Sequence, residues 1–278
     1  MISRVKSTRA YAGIWRAVRN RPKLHISALM VREFFTALQY MRTCGAYTRR
    51  TYHISHEKQL IYLSNSKVAC SSIKASIYDL GDLSDYRRVH QVANACNDFE
   101  LCVPWDKYAD YYKFTFVRNP FARLVSCYVN KLITDREKLG KTMQRLYFSR
   151  YLFGYLNVDK GFHNWAARVC RIPDRLADRH FVGQHYLIHD AKGRPLVEHV
   201  FRFENLAREY ETIRERFALA PLPHYNKTKK GNWMDYYDLE TARRVYKRYK
   251  RDIEAFGYEE VYDALIAHIK SRDLTEGA

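Results

Sequence analysis

The chain has 278 residues, of which 47% are hydrophobic and 15% are aromatic. This composition predicts a folded protein and excludes an intrinsically disordered one, and the length fits one domain or one domain with additions. The formal net charge of +18 predicts an anionic partner, such as a nucleotide, a sulfated or acidic glycan, nucleic acid or a membrane surface.

The six cysteines form neither a Cys-x-x-Cys pair nor a Cys/His spacing typical of zinc sites. We therefore expect free thiols in a reducing compartment. No apolar run approaches the roughly 18–20 residues that span a membrane, and the start of the chain lacks the apolar core of a signal peptide. These features favour a soluble, cytoplasmic protein. The cysteines are Cys44, Cys70, Cys96, Cys102, Cys127 and Cys170.

Residues 1–50 hold eleven Lys or Arg residues and a single acidic residue, Glu33. Apolar residues recur there at helical spacing in two stripes, which predicts two amphipathic helices. We interpret this segment as a basic helical extension that packs on a main domain formed by residues 51–278. The alternative is a basic helix that contacts an acidic acceptor or an anionic bilayer, which would place the protein peripherally at the inner membrane face.

Residues 60–80 have the pattern of a strand, a tight loop and a helix. Leu60–Leu63 is a short apolar run typical of a strand. Helical spacing follows, with Ile73, Ile77 and Leu80 on one face. The connection between the two elements, residues 64–72, is termed the lysine loop.

The lysine loop combines a lysine with small and hydroxyl-bearing residues. A helix N-terminus favours an anion because it carries unpaired N–H groups and a partial positive charge, and Lys67 adds a full charge. The loop therefore predicts a phosphate site, although a plain strand-to-helix turn with a surface lysine is the alternative. It is not of the ATP/GTP type, because it lacks Gly-x-x-x-x-Gly-Lys. The small and hydroxyl residues are Ala69, Cys70, Ser71 and Ser72.

Residues 85–90 are interpreted as a second short strand that ends at His90. In open α/β sheets the ligand crevice lies at the carboxyl ends of the strands. An imidazole at that position is suited to general-base catalysis, so His90 is the candidate base. The alternative is a polar residue that merely ends a strand.

Residues 113–117 are predicted to form a strand buried on both faces, as in a parallel sheet. The following residues 118–120 are termed the arginine turn. Pro120 suits the first turn of a helix, and Ser126 lies about two turns into that helix. Because a guanidinium can hold a phosphate through two parallel hydrogen bonds, Arg118 and Ser126 form a second predicted phosphate site.

The C-terminal half is predicted to alternate between helices, one strand and loops. Residues 140–190 are expected to cap the sheet and line an acceptor cleft, with His163, His180 and His185 in structural roles. The remaining predicted elements are a strand at 198–203, a helix at 204–217, a basic loop at 221–231 that closes over an anion, and helices at 238–256 and 259–270.

Together these elements predict an α/β fold with a P-loop-like central parallel sheet flanked by helices. A helical N-terminal extension and a helical C-terminal part complete the chain. Two phosphate sites in successive strand–helix units point to a nucleotide that carries phosphates at both its 5′ and 3′ positions.

Two motifs resemble those of a known family. Residues 63–74 (LSNSKVACSSIK) resemble the 5′-phosphosulfate loop of sulfotransferases, and residues 116–128 (FVRNPFARLVSCY) resemble their 3′-phosphate motif. The sequence is similar to the carbohydrate sulfotransferases of the chondroitin/HNK-1 type, and residues 202–206 and 226–228 extend the resemblance. Golgi members of that group carry an N-terminal membrane anchor. Because this sequence shows no such anchor, we expect a soluble enzyme of bacterial type.

The resemblance implies the co-substrate 3′-phosphoadenosine 5′-phosphosulfate and an acceptor hydroxyl on a glycan or glycolipid. Lys67 would stabilise the leaving oxygen, while the loop from Ala69 and Cys70 to Ser72 would hold the 5′-phosphate. Arg118 and Ser126 would hold the 3′-phosphate. No metal is implied.

The basic loop adds a third implied contact with the co-substrate. Lys229, Lys230 and Gly231 resemble a basic segment that closes over the 3′-phosphate in cytosolic relatives.

Two other functions remain open from the residues alone. One is a P-loop-type nucleotide kinase, against which the missing glycines of the lysine loop and the second phosphate site count. The other is a non-enzymatic basic module that binds an acidic glycan or nucleic acid. Because no helix-turn-helix, zinc-finger or RNA-recognition signature is present, we expect no nucleic-acid partner.

Overall fold

The structure is a computed structural model that describes residues 35, 38, 39, 41, 42, 50–81, 89, 90, 92, 93, 105–134, 148, 151–156, 161–223 and 231–276. Most of the predicted N-terminal extension lies outside the described residues, as do residues 226–228, Lys229 and Lys230. The described residues between 35 and 42 are helical, in agreement with the second predicted N-terminal helix.

Four strands form one sheet in the order β1-β2-β3-β4. β1 is antiparallel to β2, whereas β2, β3 and β4 run parallel to their neighbours. The predicted α/β fold with a mostly parallel central sheet is confirmed, and β1 is an additional edge strand. The strands are β1 (Tyr52–Ser55), β2 (Leu60–Leu63), β3 (Tyr112–Val117) and β4 (His199–Arg202).

Helices flank this sheet, and six of the eight lie in the described part of the C-terminal half. The first two follow β2 and β3 after short connections, as the strand–loop–helix patterns predict. The helices with defined bounds are α1 (Cys70–Ile77), α2 (Pro120–Tyr128), α3 (Gly161–Cys170), α4 (Gln184–Ile188), α5 (Leu206–Phe217), α6 (Leu239–Arg248), α7 (Lys250–Phe256) and α8 (Glu259–Glu276).

Two predictions of secondary structure are wrong. The strand expected at residues 85–90 is not formed at its described end, since Val89 and His90 are helical. Val89 and Ala93 are both fully buried, a spacing of four residues that matches a helix face. The single helix expected at residues 238–256 is divided at Tyr249, where the backbone leaves helical geometry between α6 and α7.

Local capping explains why α2 begins where it does. The Asn119 side chain accepts a hydrogen bond from the main-chain N–H of Phe121, and Pro120 occupies the first helical position. An asparagine cap satisfies one of the unpaired N–H groups of a helix start, and proline needs no partner there. The arginine turn is therefore a defined corner between β3 and α2.

The two faces of the sheet are covered by separate hydrophobic clusters. On one face, Leu60, Tyr62 and Phe114 pack against residues of α1 and α5. On the other, Val117 joins a larger cluster that includes Trp165 and the C-terminal helices. Burial on both faces is typical of parallel strands, and it leaves the ends of β2 and β3 as the place where polar groups converge.

Residues at and after the break between α6 and α7 form hydrogen bonds with the main chain near the start of α4. Tyr249 donates a hydrogen bond from its hydroxyl to the carbonyl oxygen of Phe181. The buried carboxylate of Asp252 accepts from the main-chain N–H groups of Gln184 and His185, both at 2.8 Å. α7 thereby fixes the main chain at the start of α4.

The described cysteines Cys70, Cys127 and Cys170 are free, as predicted for them, and the other three lie outside the described residues. Within the part of the chain that the structure describes, no helix is long and apolar enough to cross a membrane.

Candidate functional site

The lysine loop and the arginine turn lie side by side at one edge of the sheet. They follow β2 and β3, which pair in parallel, so their carboxyl ends meet. The Nη1 atom of Arg118 donates a hydrogen bond to the main-chain carbonyl oxygen of Lys67 at 3.1 Å. The structure thus brings together the two basic residues that the sequence assigns to separate phosphate sites.

Two residues of the lysine loop adopt a left-handed backbone conformation that is usual only for glycine. Lys67 has a φ of 70° and Ala69 a φ of 58°, both in the left-handed region. For residues other than glycine this region costs roughly 1–2 kcal/mol each, and such strain occurs preferentially at functional sites. Left-handed residues in a turn direct successive N–H groups into one concavity, which is a geometry that binds anions.

The start of α1 adds further donors to this concavity. The first N–H groups of any α-helix have no intrahelical carbonyl partner, and here they belong to Cys70, Ser71 and Ser72. Ser71 and Ser72 are largely buried. The predicted 5′-phosphate residues therefore share one turn of the chain.

A buried arginine that the sequence analysis missed supports the lysine loop. Arg123 in α2 donates from Nε to the carbonyl oxygen of Ser66 at 3.1 Å and from Nη2 to the side chain of Asn65 at 3.2 Å. Its guanidinium also donates to the carbonyl oxygens of Arg179 and Val182. Arg123 therefore ties the lysine loop to the segment that precedes α4.

Gln184 connects the same three parts of the chain. Its amide oxygen accepts from the main-chain N–H of Arg118 and from the side chain of Asn65, both at 2.9 Å. Its amide nitrogen donates to the Arg118 carbonyl oxygen at 2.8 Å. No local sequence pattern identifies such a residue, because its partners lie 66 and 119 positions away.

The Arg118 side chain is oriented by residues after β4. Its guanidinium carbon lies 4.5 Å from the centre of the Phe203 ring. Glu204 accepts hydrogen bonds from the main-chain N–H of Asn119 at 2.8 Å and from the Tyr258 hydroxyl at 2.9 Å. The segment that resembles the family's C-terminal motif therefore buttresses the arginine turn.

Burial shifts the acidity of the basic groups at this edge. It lowers the pKa of Lys67 to about 8, with the nearby charges of Lys131 and Arg118 acting in the same direction. It lowers the pKa of Arg118 to about 10, an effect that the charge of Glu204 opposes. An anion between these groups would stabilise their charged forms.

His90 lies against α1 and contacts two of its residues. Its Nε2 atom is 3.0 Å from the Ser71 hydroxyl, and its Nδ1 atom is 3.3 Å from the ammonium of Lys74. Burial, reinforced by the charge of Lys74, lowers the pKa of His90 to about 3. The imidazole is therefore neutral at neutral pH, and the structure brings His90 to the lysine loop from a helix instead of a strand end.

A second imidazole, treated as structural in the sequence analysis, lies close to this group. His180 places Nδ1 at 2.6 Å from the carboxylate of Asp178. Its charge interactions extend to Lys131, Arg179 and His90. A histidine paired with a carboxylate is an arrangement that acid–base catalysis uses, but the two residues alone carry no sequence signature.

Two further predicted site residues, Ser126 and Gly231, form no hydrogen bond with the lysine loop or with Arg118 in the described part of the chain. Ser126 is half-buried in the last turn of α2, and its grouping with Arg118 stays a prediction. Gly231 is exposed where the described chain resumes after the basic loop. Among the residues that the structure describes, no group of three or more His, Cys, Asp or Glu side chains is arranged to hold a metal ion.

The fold and the site define an α/β protein whose cationic site lies at the carboxyl ends of parallel strands, where such folds bind their ligands. The chain belongs to the sulfotransferase family, whose model matches residues 50–259. This match confirms the resemblance drawn from the two motifs.

One curated relative supports the same conclusion. Carbohydrate sulfotransferase 10 of Xenopus laevis is 27% identical over 178 residues, which cover 54% of this chain and 48% of that protein. The chain thus spans about half the length of the curated relative it matches. No solved structure matches the chain.

Proposed function

We propose that the protein transfers a sulfuryl group from 3′-phosphoadenosine 5′-phosphosulfate to a hydroxyl of a carbohydrate or glycolipid. The single observation that carries this proposal is the contact between Arg118 and the main chain of Lys67. It puts two cationic corners within reach of one small molecule that has a phosphate at each end of its ribose.

The lysine loop would bind the 5′ end of the donor. The N–H groups of Cys70, Ser71 and Ser72, together with the hydroxyls of the two serines, would donate to a phosphate bound against the start of α1. The Lys67 ammonium would bind the oxygen that bridges the phosphate and the sulfuryl group.

The arginine turn would bind the 3′ end. A guanidinium fixed over Phe203 and opposite Glu204 is pre-oriented for a phosphate, which it can hold through two parallel hydrogen bonds. Ser126 and the segment of Lys229, Lys230 and Gly231 are assigned to the same phosphate by resemblance.

Catalysis would rest on positioning and on electrostatic stabilisation. The acceptor oxygen attacks sulfur in line with the leaving oxygen, on which negative charge accumulates. A preorganised cation in a site shielded from water stabilises that charge without reorganising during the reaction. Lys67 has the charge for this role, and it is sufficiently shielded from water that burial lowers its pKa.

The acceptor class rests on the relative named above, which is a carbohydrate sulfotransferase. A glycan or glycolipid hydroxyl is therefore the acceptor that we propose. The strongly basic chain would also favour acceptors that are already acidic, since their charge complements its own.

The test is transfer of radiolabelled sulfate from the donor to a panel of neutral glycans, acidic glycans and glycolipids. We expect label in at least one glycan class, and strongly reduced transfer by Lys67→Ala and by Arg118→Ala. Lys270→Ala and Arg208→Ala remove exposed charges elsewhere on the described surface and serve as matched controls. Normal transfer by folded Arg118→Ala would contradict the 3′-phosphate assignment.

Competition between nucleotides separates this proposal from its two rivals. A sulfotransferase binds adenosine 3′,5′-bisphosphate in preference to ATP, whereas a nucleotide kinase shows the reverse order. A basic binding module shows steep salt dependence for polyanions and no affinity for the bisphosphate. Either of the latter results would replace the proposed function.

A further inference from the structure

We propose that Gln184 is the positioning residue that fixes the spacing between the lysine loop and the arginine turn. It thereby makes the site specific for a nucleotide whose two phosphates are at the 5′ and 3′ positions. This inference rests on the proposed function and deepens it, because it names the residue on which discrimination between similar nucleotides depends.

One oxygen atom of Gln184 joins the two parts of the site. Its Oε1 atom accepts a hydrogen bond from the Asn65 side chain and another from the main-chain N–H of Arg118, both at 2.9 Å. Asn65 lies in the lysine loop two positions before Lys67, and Arg118 begins the arginine turn. Gln184 is fully buried, so solvent does not compete for these bonds.

The amide of Gln184 pairs with Arg118 as a neighbouring strand would. Oε1 accepts from the main-chain N–H of Arg118, and Nε2 donates to its carbonyl oxygen at 2.8 Å. Because the N–H only donates and the carbonyl only accepts, the amide has a single permitted orientation. Gln184 thereby continues the pairing of β3 by one residue beyond its end at Val117.

The amide of Asn65 has a fixed orientation for a similar reason. Its Oδ1 atom accepts from the guanidinium of Arg123 at 3.2 Å, and a guanidinium only donates. The Asn65 nitrogen therefore faces Gln184 and also donates to the carbonyl oxygen of Phe116 at 3.2 Å. The path from the lysine loop to Arg118 cannot change its hydrogen bonds by rotation of either amide.

The main chain of Gln184 is held by contacts that do not involve its side chain. Asp252 accepts from the N–H groups of Gln184 and His185, both at 2.8 Å. Asp174 accepts from the N–H of Gly183 at 2.8 Å. Carboxylates from two other parts of the chain thus bind three consecutive N–H groups, and the Gln184 side chain extends from an anchored backbone.

A fixed spacing matters most for a ligand that occupies both parts of the site. Once one phosphate is bound, the second binds intramolecularly, and its gain in affinity is greatest when the spacing of the ligand matches that of the sites. Misplacement by about 1 Å can cost about 100-fold in a preorganised site. A nucleotide with a single phosphate needs only one part of the site and should depend little on Gln184.

The experiment measures the affinity of the full chain for three adenosine nucleotides by calorimetry. These are the 3′,5′-bisphosphate, the 2′,5′-bisphosphate and the 5′-monophosphate. The two bisphosphates carry the same groups and differ only in where one phosphate is attached, so the ratio of their affinities reports the spacing. We expect the wild type to prefer the 3′,5′-bisphosphate.

Gln184→Met should reduce this preference. We expect it to weaken binding of the 3′,5′-bisphosphate about 10-fold or more and to bring the ratio of the two bisphosphate affinities close to one. Affinity for the 5′-monophosphate should stay within about threefold of the wild type. A loss of stability alone would lower all three affinities together and leave the ratio unchanged.

Two further variants make the test specific. Ser76→Ala is the matched control, because Ser76 is also buried and donates to the carbonyl oxygen of Ala220 from the last turn of α1. It should keep the wild-type ratio. Asn65→Ala breaks the same connection from the other side and should reduce the ratio as Gln184→Met does. Combining these two substitutions should reduce the ratio little further, because they remove one shared connection.

The outcomes separate this inference from the function on which it rests. A wild-type protein that neither binds the 3′,5′-bisphosphate nor transfers sulfate refutes the proposed function. If an active wild type binds both bisphosphates equally, or if folded Gln184→Met keeps the wild-type ratio, only the role of Gln184 is overturned. Thermal unfolding identifies any variant that fails to fold, and Asn65→Ala then provides the decisive ratio in place of Gln184→Met.

Discussion

The guanidinium of Arg123 and the carbonyl oxygen of Ser66 are joined by a buried hydrogen bond of 3.1 Å. Ser66 directly precedes Lys67, so a side chain in α2 sets the path of the lysine loop. The same guanidinium has three further acceptors, and Arg123 is only 2% exposed. Arg123 therefore fixes the main chain of the lysine loop relative to the segment that precedes α4.

Replacement of this arginine should destabilise the protein strongly. Arg123→Met leaves several buried acceptors without a donor, and each costs about 1–3 kcal/mol, so we expect a loss of about 3 kcal/mol or more in the free energy of unfolding. Urea denaturation measures it. Arg208→Met removes an exposed arginine and should stay within about 0.5 kcal/mol of the wild type. Similar stability of the two variants would contradict the role given to Arg123.

The left-handed residue at the start of α1 allows a stabilising substitution. Ala69→Gly removes a backbone penalty of roughly 1–2 kcal/mol and adds back about 0.4–1 kcal/mol of unfolded-state entropy. We expect a net gain of between about 0 and 1.6 kcal/mol, measured by thermal or urea unfolding. The control Ala75→Gly lies inside α1 and should instead lose about 1 kcal/mol. Equal losses in both variants would show that Ala69 is not strained.

The buried lysines make the stability of the ligand-free protein depend on pH. Burial lowers the pKa of Lys67 and of Lys74 to about 8, against the ordinary value of 10.5. Between these values the unfolded chain binds more protons than the folded one, so the contribution of both lysines to stability rises with pH. Lys74→Met should reduce this rise and stabilise the ligand-free protein near neutral pH, because it removes a buried charge.

Urea unfolding of wild type and Lys74→Met across this pH range is the measurement. The difference between the two proteins isolates the lysine from the tyrosines that titrate at higher pH. A stability difference that is independent of pH would show that Lys74 remains protonated throughout. Lys270→Met, an exposed replacement in α8, is the control for the loss of a charge as such.

The ring beneath Arg118 should tune donor affinity. The guanidinium lies 4.5 Å from the Phe203 ring centre, and such a contact is worth about 0.5–1 kcal/mol at a partly exposed site. Phe203→Leu should therefore weaken binding of adenosine 3′,5′-bisphosphate about 2- to 5-fold in calorimetry. In an Arg118→Ala background the same substitution should have little effect. An equal loss in both backgrounds would mean that Phe203 acts independently of Arg118.

Sequence patterns predicted the elements whose signals are local. The apolar run of β2, the buried run of β3 and the proline at the start of α2 each depend on neighbouring residues, and the structure confirms them. Lys67 and Arg118 were identified by their place after these strands, and the parallel pairing of β2 with β3 brings them into contact.

The errors and omissions depend on distant contacts. Val89 and His90 were assigned to a strand because a short apolar pattern does not distinguish the two kinds of element. The functions of Arg123 and Gln184 come from partners more than fifty positions away. The pairing of Asp178 with His180 is local, but no sequence pattern marks the two residues as partners.

Asp252, which holds the main chain at residues 184 and 185, has a consequence for how the protein matures during translation. All four strands are complete once residue 202 has been made, but this carboxylate follows fifty residues later. A nascent chain therefore contains all the residues of these strands well before the start of α4 can be anchored. Catalytic competence should appear only after α7 has left the ribosome.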